Sequence, residues 1–318
     1  MKVSVALCTY NGELYIADQL YSITAQTHPV DEIILCDDGS SDSTLTIARQ
    51  IQEQGSPIQI HCNTQRLGFV ANFAKAIQTC TGDIIFLCDQ DDLWKEDKVA
   101  LMLTYFQSNP KLLLIFSDGE LINETGNSLN CRLWQALPYP PKKMPSFIDL
   151  LNHDLITGAA CAFRRELITH ALPFPAHWIH DAWLGIIASA LGQIEAIPTT
   201  LIAYRQHNNN QIGLRPPTFK QKIQKVFYLM TTAHLDISEK YQPLLTYIPP
   251  SHPQYFHILG KIRHLKNRQT GWRIIGIIKE TVNGGYSHYA NGWQSIIRDI
   301  ILLIYQTILN IHSTFVVK

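Results

Sequence analysis

VSVALCTYNGELYIADQLYSITAQTHPVDEIILCDDGSSDST, running from Val3 to Thr44, is the stretch that decides the fold. It opens on an apolar run, Val3–Cys8, and breaks at Thr9-Tyr10-Asn11-Gly12. Across Glu13–Ala25, residues Leu14, Ala17, Leu20, Tyr21 and Ile23 then recur at roughly helical spacing. A second apolar run, Ile33–Cys36, follows and breaks into Asp37-Asp38-Gly39-Ser40-Ser41-Asp42. Short β-branched runs of this kind read as buried strands. Working outward, similar runs occur at Ile58–His61, Ile84–Leu87 and Leu112–Phe116, with helical patterns at Ser43–Gln54 and Phe69–Thr79. Strand–helix alternation predicts an α/β domain built on a mostly parallel sheet with right-handed crossovers. Ligands of such sheets bind beyond the carboxyl ends of the strands.

The composition narrows the class. Of 318 residues, 46% are apolar and only 16% charged, against about 25% charged in an ordinary soluble domain. Disorder is excluded by the hydrophobicity, and a strongly basic nucleic-acid binder by 26 Lys+Arg against 26 Asp+Glu. The seven cysteines, Cys8, Cys36, Cys62, Cys80, Cys88, Cys131 and Cys161, have no CxxC spacing. They suit free thiols in a reducing cytoplasm better than a disulfide scaffold. The run after Met1-Lys2 is too short for a signal-peptide core and is expected to be the first strand.

The neutral total hides an asymmetry. Residues 1–215 hold 14 Lys/Arg against 22 Asp/Glu, whereas 216–318 hold 12 against 4. Two parts with different partners are therefore expected, divided at Pro216-Pro217.

Three expected strand ends carry polar chemistry: Thr9-Tyr10-Asn11, Asp37-Asp38 and Asp89-Gln90-Asp91-Asp92. Singly, the second reads equally as a turn with a helix cap and the third as a solvated loop. Together they gather carboxylates along one edge of a sheet, where mutual repulsion raises pKa values. A bound Mg²⁺ or Mn²⁺, which joins one or two carboxylates to substrate phosphates, resolves that conflict.

VSVALCTYNGELYIADQLYSITAQT, DEIILCDDGSSDST and GDIIFLCDQDDLW resemble the signature of family 2 glycosyltransferases. The resemblance covers roughly residues 1–210 and implies a GT-A, Rossmann-like domain of an inverting enzyme that uses nucleotide-diphospho-sugars. The CTYNGE and DQDDLW wording, with His180-Asp181 and Tyr204-Arg205-Gln206-His207, is similar to the rhamnosyltransferase-like branch of bacterial polysaccharide synthesis. By this resemblance Thr9, Tyr10 and Asn11 line the nucleotide pocket. Asp38 accepts from a pyrimidine N3–H, with Asp37 beside it holding the loop. Asp89 meets the ribose or the metal shell, Asp91 is the main metal ligand and Asp92 supports it. Arg66, before Gly68, lies near the nucleotide or is simply a surface arginine.

The second half should supply acceptor and base. Thr157–Phe163 reads as a glycine-opened strand, lying close to a ligand or simply in the core. The family places an acidic dipeptide, most often Glu-Asp, at a later helix start. This chain has His180-Asp181, so Asp181 is the expected general base and His180 has no inherited role. His207 fits a late metal or diphosphate ligand, and Arg205 a phosphate donor. Asn208–Gly213 suggests a loop over the donor, or simply a polar connection to the next domain.

The basic part reads as helical. Lys220, Lys222 and Lys225 open an amphipathic stretch, and Lys261, Arg263, Lys266 and Arg268 form a second cluster before Trp272 and Ile274–Ile278. Ile300–Ile311 is an apolar run of about 12 residues, short of the about 20 that a span needs. Basic helices with Trp and Ile faces suit an anionic inner leaflet, or else a packed subdomain. The expected enzyme is thus cytoplasmic and peripheral on the inner membrane. Its donor is dTDP-rhamnose or a UDP-hexose, and its acceptor a lipid-linked glycan. A nucleotide-sugar-binding scaffold is the reading of another class.

Overall fold

The computed structural model describes residues 1–207, 237–269, 273–301 and 303–304. One compact unit comprises Met1–Ser146 with His153–Arg215, and a second comprises Phe147–Asn152 with Pro216–Lys318. The expected boundary at 215/216 did not anticipate that a six-residue segment from mid-chain groups with the later unit.

In the first unit the strands are β1 (Val3–Thr9), β2 (Glu32–Asp37), β3 (Ile58–Cys62), β4 (Ile84–Cys88), β5 (Leu93–Trp94), β6 (Leu112–Ile122), β7 (Ser128–Arg132), β8 (Cys161–Arg164) and β9 (Gln193–Arg205). They form one sheet in the order β3-β2-β1-β4-β8-β6-β9-β5, with β7 pairing β6. Helices α1 (Ile16–Thr24), α2 (Thr44–Glu53) and α3 (Phe69–Thr79) make the crossovers, and α4 (Lys98–Ser108) follows β5. Every residue of β1, β2 and β4 is buried. This explains their unbroken apolar reading, since a strand covered on both faces needs no alternation.

The sheet is mixed, its longer parallel ladders joined by short antiparallel ones. β3, β2, β1 and β4 run parallel to one another, and β6 runs parallel to β9. β8 runs antiparallel to both β4 and β6, and β5 antiparallel to β9. The expected strand over 157–163 begins only at Cys161, because Gly158–Ala160 is a 3₁₀ turn. Its backbone groups are engaged elsewhere: the Ala159 carbonyl accepts from Lys98 Nζ and the Gly158 N–H donates to Asp181.

The edge of the sheet opposite the strands' carboxyl ends is fixed by Glu32. Its carboxylate accepts from the Ser4 hydroxyl and from both the N–H and hydroxyl of Thr81, and Ser4 Oγ in turn accepts from the Gly82 N–H. Burial pushes the Glu32 carboxyl up, but these hydrogen bonds and Lys2 outweigh it and leave the net shift downward. Glu32 therefore adds stability above the unfolded glutamate pKa of about 4.3, and that stability is lost as pH falls through the lower folded value. We predict that Glu32→Gln costs about 1–2 kcal/mol at pH 7. In urea unfolding the deficit should shrink as the pH drops below about 4. A deficit unchanged by pH would contradict this.

Candidate active site

The register of the parallel strands builds the site. Thr9 pairs with Asp37, and Leu7 with Cys88, so the ends of β2, β1 and β4 are adjacent. Thr9–Asn11, Asp37–Asp38 and Asp89–Asp92 thus lie side by side, as the sequence pattern implied.

Asp37 organises its own loop. It accepts from the Thr9 hydroxyl at 2.8 Å and from the Gly39 and Ser40 N–H groups at 3.1 and 2.8 Å. Asp38 reaches the segment after β3, where Asn63 Nδ2, the Leu67 N–H and the Gly68 N–H donate at 2.9, 2.7 and 2.9 Å. A carboxylate offers about four acceptor positions, so Asp38 keeps room for one more donor. Gly68 holds a positive φ of 83°, which lets two consecutive N–H groups turn toward Asp38. Asn11 takes a left-handed φ of 50° and ties β1 to β2 through Ser40 and Ser41. Arg66 stacks its guanidinium over the Tyr10 ring at 3.9 Å.

Gln90 went unread in the sequence. Its amide pairs with the Tyr10 backbone in both directions, at 2.8 and 3.1 Å. A Cβ on Gly12 would lie 2.4 Å from Gln90 Oε1, so a larger residue there would push the Gln90 amide off the Tyr10 backbone.

The acidic loop after β4 is closed by a strand pair of long sequence separation. β5 pairs with β9, Leu93 opposite Ala203. That brings the end of β9 onto the loop: the Arg205 N–H donates to Asp92 at 2.9 Å, and His207 Nε2 lies 2.7 Å from Asp91 Oδ2. The Tyr15 ring stacks on His207 with centroids 5.1 Å apart. Arg205, expected as a phosphate donor, does different work. It is 3% exposed, and its guanidinium donates to the Asp91 carbonyl at 2.7 Å and the Glu124 carbonyl at 3.0 Å. It shapes the loop that presents Asp91.

The carboxylates are crowded. Desolvation first, then Asp91 and Asp181, push the Asp89 carboxyl up to about 7. Asp92 is raised well above the usual range by burial and then by its acidic neighbours. Lys98 lies behind them, wholly buried, with its ammonium 2.7 Å from the Ala159 carbonyl and 3.8 Å from the Trp94 ring centroid. Burial lowers its pKa to about 8, against the opposing pull of Cys88, Cys161, Asp92 and Asp89. A lysine directly at the head of the apolar stretch Val99–Phe106 was the signal that could have marked it.

A divalent cation fits this chemistry. Asp92 Oδ2 is buried without a hydrogen-bond partner, and Asp91 Oδ2 and His207 Nε2 lie 2.7 Å from each other, an oxygen and a nitrogen of the kind such an ion takes. Among the described residues no three such side chains form a ready cage. Mg²⁺ commonly takes only one or two protein ligands and completes its shell with substrate phosphates and water.

Asp181 stands in the first turn of α6 (His180–Leu191; α5 is Phe147–Asn152). The Gly158 N–H holds one oxygen at 2.9 Å and the Ala182 N–H the other at 2.7 Å. A helix N-terminus favours such a carboxylate. His180 points into an aromatic cage, stacked on Phe73 with centroids 4.0 Å apart and flanked by Phe69 and Phe174. Both its ring nitrogens are buried without hydrogen-bond partners.

The profile of glycosyl transferase family 2 matches residues 4–171. The chain belongs to that family. It is 30% identical over 238 residues to an uncharacterized glycosyltransferase of Nostoc sp., covering 70% of each chain. It is 28% identical over 245 residues to dTDP-rhamnosyl transferase RfbG of Shigella flexneri, covering 69% of this chain and 78% of that one. In fold it is similar to residues 1–349 of Staphylococcus aureus TarS, solved with UDP-GlcNAc, at 14% identity. The TM-score is 0.57, with 93% and 90% of the two chains covered. The fold is therefore GT-A, and this family 2 member is a glycosyltransferase.

The buried imidazole sets one pH dependence. Desolvation, against a smaller pull from Asp181, lowers the His180 pKa, so the folded chain prefers it neutral. The unfolded chain protonates it near pH about 6.5, and stability falls as pH drops below that value. We predict that His180→Phe, which does not titrate, loses less stability than wild type between pH 7 and 5 in urea unfolding. Identical pH profiles would contradict the assignment.

Proposed function

We propose that this enzyme is an inverting, metal-dependent transferase. It would move L-rhamnose from dTDP-β-L-rhamnose to a hydroxyl of a growing, lipid-linked glycan at the cytoplasmic face of the inner membrane. The observation that carries the reading is the convergence of Asp91 and His207 at 2.7 Å on the same strand-end edge as Asp38 and Asp89. Asp181 acts within electrostatic reach of Asp89.

The nucleoside would lie over Thr9–Asn11, with the remaining acceptor position of Asp38 open to a base N–H. Arg66 on Tyr10 offers a cationic wall beside it. Asp91 and His207 would hold Mg²⁺ or Mn²⁺, whose charge stabilises the leaving diphosphate when bound. Asp181 removes the proton of the acceptor hydroxyl as that oxygen attacks the anomeric carbon and the bond to the diphosphate breaks. The two backbone N–H groups fix its orientation, so the carboxylate is positioned in advance. One displacement inverts the centre and needs no enzyme nucleophile.

Rhamnose is supported by the Shigella relative's name. The membrane setting is supported by the basic, isoleucine-rich second unit. The stretch Lys220–Met230 of that unit lies outside the described residues, as do Trp272, the residues after 304 and, in the first unit, the loop Asn208–Gly213. No helix among the described residues is long and apolar enough to cross a membrane.

The test is nucleoside-diphosphate release from dTDP-, UDP- and GDP-sugars with Mg²⁺ or Mn²⁺. Release from dTDP-rhamnose is expected, and Asp181→Asn should slow it by about 10²–10⁴-fold while donor binding persists. Release from a UDP-hexose alone would replace the donor. Wild-type rates in Asp181→Asn would overturn the base assignment, and donor binding with no turnover even with acceptor would leave a scaffold.

A further inference from the structure

The second unit wears part of its apolar surface on the outside. In α8 (Arg273–Val282; α7 is Tyr255–Gln269) the carboxylate Glu280 is 4% exposed, while Ile274, Ile275, Ile278 and Val282 are 54–79% exposed. Glu280 is turned inward onto His264 Nδ1 at 2.7 Å and Asn267 Nδ2 at 2.6 Å. Residues 293–301 are helical and repeat the inversion. Asp299 is 8% exposed and accepts from the Tyr286 hydroxyl at 2.7 Å. Ile297, Ile300, Ile301 and Ile304 are 41–55% exposed, and Trp293 is 67% exposed.

These are not scattered surface residues. Positions 297, 300, 301 and 304 recur at i, i+3, i+4 and i+7, and 274, 278 and 282 recur at i, i+4 and i+8. Each set is therefore one continuous helix face. An amphipathic helix normally turns such a face into the core. Here two helices turn acids inward and isoleucines outward.

The charges select the occupant. With Glu280 and Asp299 withdrawn, the exposed charged groups among the described side chains of α7, α8 and residues 293–304 are Arg263, Lys266, Lys279 and Arg298. We infer that these two isoleucine faces, with Trp293 and the exposed cations, form a binding surface for an anionic lipid bilayer. The helices would lie in the interface with the isoleucines among the acyl chains. Lysine and arginine would meet the acidic headgroups, and Trp293 would sit at headgroup depth. A second copy of the chain would bring the same cations together, which the charge pattern opposes. The inference deepens the proposed function and rests on it for the lipid-linked acceptor. Vesicle binding is nevertheless read without any sugar transfer.

The experiment uses the full chain in co-sedimentation with phosphatidylcholine vesicles, with and without phosphatidylglycerol. Ile274→Ser/Ile278→Ser and Ile297→Ser/Ile301→Ser are compared with wild type. Because these side chains are exposed, the variants should keep their unfolding transitions and their donor hydrolysis without vesicles. Wild type should bind the phosphatidylglycerol vesicles, more weakly as salt rises, and each variant should lose about tenfold or more in partitioning. Trp293 emission should shift to the blue on binding, a shift absent in Trp293→Phe. Wild type that ignores anionic vesicles, or variants that bind as wild type does, would overturn the inference. So would self-association in sedimentation equilibrium that the same substitutions abolish, which would give the faces to a second copy. Loss of donor hydrolysis in the wild type itself would count against the proposed function and not against this surface.

Discussion

Carboxylate crowding at the end of β4 is the constraint around which this molecule is arranged. Asp89, Asp91 and Asp92 follow one fully buried strand, and Asp181 approaches from a helix start. Desolvation and repulsion together drive Asp89 up to about 7 and raise Asp92 well above the usual carboxylate range. A chain that keeps such a cluster must offset it. Lys98 does so from below with a buried ammonium. The Arg205 backbone N–H does so at Asp92, and the Arg205 side chain holds the loop through the Asp91 carbonyl. These contacts define the shape of the acidic loop but leave Asp92 Oδ2 without a partner. That residual deficit makes a cation with diphosphate a natural occupant.

The Lys98 ammonium also joins two parts of the site. It donates to the Ala159 carbonyl, and the adjacent Gly158 N–H holds Asp181. Through one 3₁₀ turn, the group that offsets the acidic loop is tied to the segment that orients the proposed base. A core lysine with a lowered pKa would be an expensive packing choice. Here it answers local charge that no apolar side chain could offset.

Much of this was legible in the sequence, for a physical reason. Strands buried on both faces must be continuously apolar, so Ile33–Cys36 and Ile84–Leu87 declare themselves, and the first polar residue after each marks a carboxyl end. That is why the sequence alone gathers Asp37, Asp38, Asp89 and Asp91 on one edge. The direction of β8 was not legible, because a four-residue strand carries no sign of its polarity. Nor was the use of Arg205. The antiparallel β5–β9 bridge sets the register that commits its guanidinium to backbone carbonyls, and composition at Arg205 looks the same in either case. Gln90 was hidden similarly, since a glutamine within an acidic loop gives no hint that it clamps the Tyr10 backbone. The outward isoleucines of α8 show as amphipathic periodicity, but periodicity alone does not say which face is covered.

Under the proposed function a divalent cation together with a nucleoside diphosphate completes the acidic edge. Calorimetric titration of dTDP into the wild-type chain and Asp91→Asn, with and without Mn²⁺, tests it most directly. Strong binding is expected only when the ion is present, with that dependence lost in the variant. Equal affinity with and without the ion would contradict it.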